Sequence, residues 1–220
     1  MWHDLTSKQF GRTVTAVYAT PIRKGECRLF ARFPFKFSSK LPGFFIKLTP
    51  RWYSHIGQNN ILEDDQIFLH HQERYLEAKG GSAEFARAFY LPTKADRFVF
   101  ELRQWVNHFQ AESFPGAKLS PALSTEALLD RYHSHTQKCA SCRAALARIQ
   151  KIRFAAGIGG AIGWAVTMLL VLLASSPVAV GVAIVLTLLA GATWLGLGKL
   201  EKRFYQGRAI PPRNLPDKKR

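Results

Sequence analysis

The chain has 220 residues, 47% of them hydrophobic, and its 31 Lys and Arg against 15 Asp and Glu give a formal net charge of +16. Such an excess suits a nucleic-acid binder, but it is not gathered into one basic block: residues 199–220 hold eight Lys/Arg and two Asp/Glu, and the rest is spread thinly. No nucleic-acid module accompanies it, so nucleic acid is excluded as a partner and an anionic lipid surface is favoured.

In chain order, residues 1–12 are polar and lack the apolar core of a secretion signal. Residues 13–22 (Thr-Val-Thr-Ala-Val-Tyr-Ala-Thr-Pro-Ile) and 27–35 are rich in β-formers, and Arg23-Lys24-Gly25-Glu26 between them has turn character. An antiparallel hairpin is expected. Two strands do not make a stable sheet, so either further strands are missing from this chain or the hairpin completes a sheet begun by another polypeptide. An aromatic, Pro-punctuated stretch follows over residues 35–53. Asn60 and Glu63 have capping-box spacing and Gly80-Gly81 reads as a stop, predicting a helix between them. On it Asp65, Leu69, Gln72 and Leu76 share a stripe whose leucines face inward, which would bury the Asp65 carboxylate and require a partner or a metal. The plainer reading makes Asp65 a first-turn acid stabilised by the helix dipole. His70 and His71, about 100° apart on a helix, do not face one ion and are surface or packing residues.

Phe98, Leu102, Trp105 and Phe109 have helical spacing and read as core. A loop with Pro115, Gly116 and Pro121 comes next, and Ser124 or Thr125 then caps a helix that runs on into the apolar segment. Residues 154–198 contain no Asp, Glu, Lys or Arg. One membrane span needs about 20 apolar residues, so this run accommodates two, near 155–174 and 178–198, with Ser175-Ser176-Pro177 as the turn. Neither span carries an ionisable group, so the hairpin is an anchor rather than a pathway. Lys151 and Arg153 before it and Lys199, Lys202 and Arg203 after it place both flanks on the cytoplasmic or stromal side.

Immediately before the anchor, His133, His135, Cys139 and Cys142 lie within ten residues of one another. The chain's three cysteines (Cys27, Cys139 and Cys142) are too few for a disulfide scaffold and suit a reducing compartment. On one helix Cys139, Cys142 and His135 could share a side, but one short helix rarely supplies four tetrahedral ligands. Three readings stand: a redox-responsive dithiol, favoured by Lys138 and Arg143 beside it, an inert structural pair, and a metal site.

Tyr18-Ala19-Thr20-Pro21-Ile22 with Gly25 and Cys27-Arg28, residues 60–73, Pro92-Thr93-Lys94-Ala95-Asp96-Arg97 with Arg103-Gln104-Trp105, and residues 129–142 followed by the double span occur in this order. Together they resemble the C-terminal part of the pheophorbide a oxygenase family of Rieske-type non-haem iron oxygenases. The resemblance implies an α+β fold: the C-terminal portion of a helix-grip oxygenase catalytic domain followed by a two-helix transmembrane hairpin. It divides the chain into a partial catalytic domain (1–122), a neck helix with the CxxC (123–153), the hairpin (154–198) and a basic tail (199–220). It makes Asp65, or Asp64 if the register slips by one, the carboxylate of a mononuclear Fe(II) held with two histidines. It also implies chlorophyll-type substrates, a ferredoxin-like electron donor, and a homotrimer as one assembly. The family's Cys-x-His and Cys-x-x-His loops for the [2Fe–2S] cluster are absent from these 220 residues, and His3 and His55 do not match its iron-binding pair by position or spacing. The expectation is therefore an integral protein of a thylakoid, plasma or chloroplast-type membrane, inactive without a Rieske-bearing N-terminal polypeptide. The competing class is a non-enzymatic, membrane-anchored module whose Cys139–Cys142 dithiol senses redox state or docks a partner.

Overall fold

A computed structural model describes residues 2–7 and 11–208, so most of the basic tail lies outside it. The described chain is helix-rich with one small antiparallel sheet. Its contacts divide it into two compact units, Met1–Thr49 with Asp65–Ser124, and Pro50–Asp64 with Thr125–Arg220.

In the first unit, β1 (Trp2–Ser7), β2 (Gly11–Arg23), β3 (Glu26–Arg32) and β4 (Phe35–Lys36) form the sheet. The expected hairpin is its centre, with Val17 opposite Ala31 and Thr20 opposite Arg28. The further strands are present in this chain and not missing from it: β1 pairs with the first half of β2 (Asp4 opposite Val14), and β4 pairs with β2 at Arg12 and Thr13. Both faces remain open, with Tyr18, Leu29, Phe30 and Phe35 all exposed.

Helix α1 (Lys40–Leu48) falls in the aromatic stretch, and α2 (Arg51–Ala78) follows almost at once. α2 begins nine residues before Asn60, so the expected capping box at Asn60 and Glu63 does not exist. The Pro50 carbonyl accepts the first amides, from Tyr53 and Ser54, and Pro is suited to a helix start because its missing N–H is not needed there. The stop is as expected: the Gly81 amide bonds back to Leu76, and Gly80 takes a φ of +115° that a side chain would resist.

After a 3₁₀ turn (Ser82–Glu84) and the short α3 (Phe85–Ala88), α4 (Lys94–His108) opens on a reciprocal capping box between Thr93 and Asp96. Its aromatic stripe is not core: Phe98, Leu102, Trp105 and Phe109 are all more than half exposed. Among the described residues this unit fully buries only Leu76 and Phe85 as hydrophobics, so it offers no layer against which that stripe could pack.

In the second unit, the expected continuous neck helix is broken. α5 (Thr125–Leu128) is a single turn, residues Tyr132–Thr136 form a π-turn, and α6 (Ala140–Leu172) starts only after Cys139, whose backbone is extended (φ −90°, ψ 115°). α7 (Pro177–Tyr205) returns antiparallel to α6. The turn between them is built as its residues suggest, with Pro177 at the start of α7 and the Ser176 hydroxyl accepting the Ala179 amide. Both helices are long and apolar enough to cross a membrane; their uncharged parts are residues 154–172 and 177–198. At their base lies the unit's small core: Ile56, Cys142, Ala145, Leu146, Ile149 and Phe204, with Trp52, Tyr132, Leu197 and Leu200 packed around it.

Candidate metal centre

The base of the second unit gathers four ligand-type side chains from three places in the chain. His55 stands near the start of α2, on the side that carries Trp52 and Ile56 into the core. His135 projects from the π-turn, which is closed by the Gln137 amide on the Tyr132 carbonyl. Cys139 occupies the N-cap position of α6, and Cys142 lies in that helix's first turn, only 1% exposed. The extended backbone at Cys139 brings these two cysteines to the mouth of the helix, where an uninterrupted helix would have spaced them along one flank.

The four ligand atoms lie within 4.8 Å of one another. His55 Nδ1 is 3.3 Å from His135 Nε2, 3.4 Å from Cys139 Sγ and 3.5 Å from Cys142 Sγ, and Cys142 Sγ is 3.4 Å from His135 Nε2. Burial holds both imidazoles below their ordinary pKa, with Arg51 adding to the effect at His55, and His55 and Arg131 at His135. They are therefore neutral, the form that offers a lone pair to a metal. Burial, and then Cys139, push the Cys142 thiol up to about 12. That direction is opposite to the one that activates a thiol for exchange.

A buried ion pair stands beside this group. Arg131, 2% exposed, donates from Nε to Glu63 Oε1 (2.7 Å), from Nη2 to Glu63 Oε2 and Asn60 Oδ1, and from Nη1 to the Arg203 carbonyl (2.7 Å). Thr136 donates to the Phe204 carbonyl at 2.6 Å, and the Gly207 amide to Leu129 at 2.8 Å. These bonds fix the segment carrying His135 to the end of α7.

Of the residues singled out in the sequence, Cys139, Cys142 and His135 meet. His133 does not join them; it is exposed and binds Asp130 at 2.6 Å. Asp65 is exposed rather than buried, because the inward acid of that stretch is Glu63, two residues earlier. Among the described residues no convergent group of three metal-ligand side chains includes Asp65. His70 and His71 are, as expected, a packing and a surface residue. His55, which does not match the family's iron-binding pair, is the fourth member of this group. Its signal was the helical spacing of Trp52, Ile56 and Glu63 around it, together with a three-ligand set that lacked a fourth.

The donor set is also that of a Rieske [2Fe–2S] centre, which places its histidines on one iron and its cysteines on the other. Here His55 Nδ1 is as near to the sulfurs as to the second histidine, so the four donors converge on one point and do not fit a two-iron cluster.

Comparison with known proteins supplies the setting. Residues 1–83 match the family model described as pheophorbide a oxygenase. The chain is 31% identical over 192 residues to the chloroplastic pheophorbide a oxygenase of Arabidopsis thaliana, covering 79% of this chain and 34% of that protein. It is 38% identical over 132 residues to the protochlorophyllide-dependent translocon component 52 of the same plant (57% and 22%). It is 34% identical over 141 residues to flavonoid 8-hydroxylase 2 of Ocimum basilicum (61% and 25%). No solved structure matches. The chain thus spans between a fifth and about a third of the length of these curated relatives, and over that span it is a relative of the pheophorbide a oxygenase family.

Proposed function

We propose that this chain is the membrane-anchoring C-terminal portion of a Rieske-type oxygenase acting on a chlorophyll-type macrocycle. The observation that carries the reading is the coincidence, in one chain, of the family match over residues 1–83 and a hairpin of two long helices whose apolar stretches, residues 154–172 and 177–198, carry no charge. Such macrocycles are apolar and partition into bilayers, so a helix-grip catalytic part tethered there meets its substrate where it dissolves.

In this reading Asp65 supplies the carboxylate of a mononuclear iron site of the two-histidine, one-carboxylate kind, which leaves positions open for oxygen. The two histidines and the [2Fe–2S] cluster come from outside these 220 residues, and a ferredoxin-like protein delivers the electrons. The exposure of Asp65 on α2 suits a carboxylate completed by residues from outside this chain.

The test is purification of the tagged chain from its native membranes, with iron analysis and an electron paramagnetic resonance search for the Rieske signal. A Rieske polypeptide that co-purifies and turns over a pheophorbide-like substrate is the expected result. Asp65→Asn should remove turnover and leave the Rieske signal intact. A tagged chain that emerges iron-free and partnerless overturns the reading. Because one relative is named for a flavonoid, a flavonoid offered beside the macrocycle decides the substrate class.

A further inference from the structure

We infer that His55, His135, Cys139 and Cys142 bind a single structural zinc ion, closing the base of the helical hairpin. This site is separate from the iron chemistry proposed above and does not depend on it.

The geometry makes the case. Around one tetrahedral zinc, bonds of about 2.3 Å to sulfur and about 2.0 Å to nitrogen put two nitrogens about 3.3 Å apart and a nitrogen and a sulfur about 3.5 Å apart. The observed separations are 3.3 Å between the imidazole nitrogens and 3.4–3.5 Å for three of the four nitrogen–sulfur pairs, with all four atoms within 4.8 Å of one another. Four donors, one buried and three half-buried, converge on one point, and a pair of imidazole nitrogens with a pair of sulfurs is a donor set that zinc prefers. All four positions are filled by protein, which marks a structural rather than a catalytic ion.

Charge and protons balance as well. The two thiols release their protons to solvent on binding, and the resulting thiolates neutralise the dication, so the buried spot gains no net charge. Bound zinc would also explain two local oddities: the break in the helix at Cys139 and the π-turn that presents His135, a kind of irregularity concentrated at functional sites. The need is plain, since the core that joins the start of α2 to the hairpin contains only six buried residues, and cores of that size are commonly reinforced by a metal.

The experiment uses the whole chain, extracted in detergent without chelator. About one zinc per chain is expected by elemental analysis, and cobalt exchanged into the site should show the visible bands of a tetrahedral ion with thiolate charge transfer. Alkylation under native conditions should modify Cys27 alone, which is exposed, and all three cysteines once zinc is chelated. Cys139→Ser combined with Cys142→Ser should reduce zinc to background. If that double variant does not fold, His55→Cys decides: it should retain the ion and shift the cobalt spectrum toward a three-sulfur site. Substoichiometric metal equal to that of the double variant, Cys139 and Cys142 alkylated as readily as Cys27, or a Cys139–Cys142 disulfide in the freshly isolated chain would each overturn the inference.

Discussion

Arg131 shows how much of the second unit rests on one side chain. Its guanidinium meets both Glu63 oxygens, Asn60 and the Arg203 carbonyl, while Gly207 packs so closely on Glu63 that a Cβ there would have no room. A buried pair gains little over an apolar replacement, but removing one partner strands the other charge. Arg131→Ala should therefore lower stability by about 3–5 kcal/mol, read as a fall in Tm of the detergent-solubilised chain. Arg131→Met with Glu63→Leu should recover most of that loss, and a double variant no better than the single one would show that the pair is not what matters. In the first unit, His70 makes a different use of its ring. The Leu123 amide lies 3.1 Å from Nε2, and Arg74 Nη1 stands 3.0 Å from Nδ1 while bonding the His70 carbonyl; both neighbours only donate, so a second proton on the ring would set donor against donor. Burial, then Arg74 and His71, hold the His70 pKa below its ordinary 6.5. A depressed folded pKa means that the stabilisation is complete above pH 6.5. It is lost progressively below that value as the unfolded chain takes up a proton the folded one refuses. The protection factor of the Leu123 amide in hydrogen exchange should fall over that interval and become pH-independent in His70→Gln; a wild-type factor constant from pH 7 to pH 5 would contradict the assignment.

Among the elements, α4 has the best-defined start. Thr93 accepts the Asp96 amide while the Asp96 carboxylate accepts the Thr93 amide at 2.8 Å and its hydroxyl at 2.7 Å, and these bonds hold the Asp96 pKa below its ordinary 3.8. The contribution is present above pH 3.8 and disappears as pH falls below it. In Thr93→Ala the Asp96 pKa, followed by NMR, should rise toward 3.8, and an unmoved value would dissolve the box. The α6–α7 pair is tighter still: a Cβ on Gly163 would lie 2.5 Å from the Thr187 hydroxyl and one on Gly157 3.2 Å from Trp194. Small residues let apolar helices approach closely, so Gly163→Leu should destabilise the pair by about 1–3 kcal/mol through overpacking, seen as a lower Tm; an unchanged Tm would show the helices free to part. The elements legible in the sequence were those with local signals: the β2–β3 hairpin around a turn, the Gly80-Gly81 stop, and two apolar helices about Ser176-Pro177. What stayed hidden depends on distant partners. His55 meets His135 across 80 residues, and Asn60 mimicked a cap while serving Arg131 across 71. The α4 stripe misled for the opposite reason, since helical spacing states that a face is apolar and not that anything covers it.

At the scale of the whole molecule, the decisive balance is between apolar surface and what can cover it. α6 and α7 leave Ile162, Trp164, Leu169, Leu186, Leu188 and Leu195 exposed around their circumference, where a soluble helix pair would show one polar side. Water is a poor solvent for such a surface, and a bilayer is a good one. The polar base fits the same picture: Arg153 lies 4.9 Å over the Trp194 ring and binds Glu201 at 2.7 Å, and Gln150 bonds both Glu201 and Tyr205. In the proposed membrane-spanning arrangement these groups would lie where the hairpin meets an aqueous interface, aromatic and basic together. In that proposed arrangement the antiparallel return of α7 puts both flanking segments on one side, and the Lys and Arg around the base favour the cytoplasmic or stromal one. The chain should therefore resist carbonate extraction. In sealed vesicles of one orientation, a membrane-impermeant maleimide on Cys27 and an antibody to a C-terminal tag should gain access together or not at all. Gln in place of Lys151, Lys199 and Lys202 should increase the inverted fraction, with Cys27 and the tag still moving as a pair. Labels that part company would mean that only one helix crosses, and extraction by carbonate would mean that neither does.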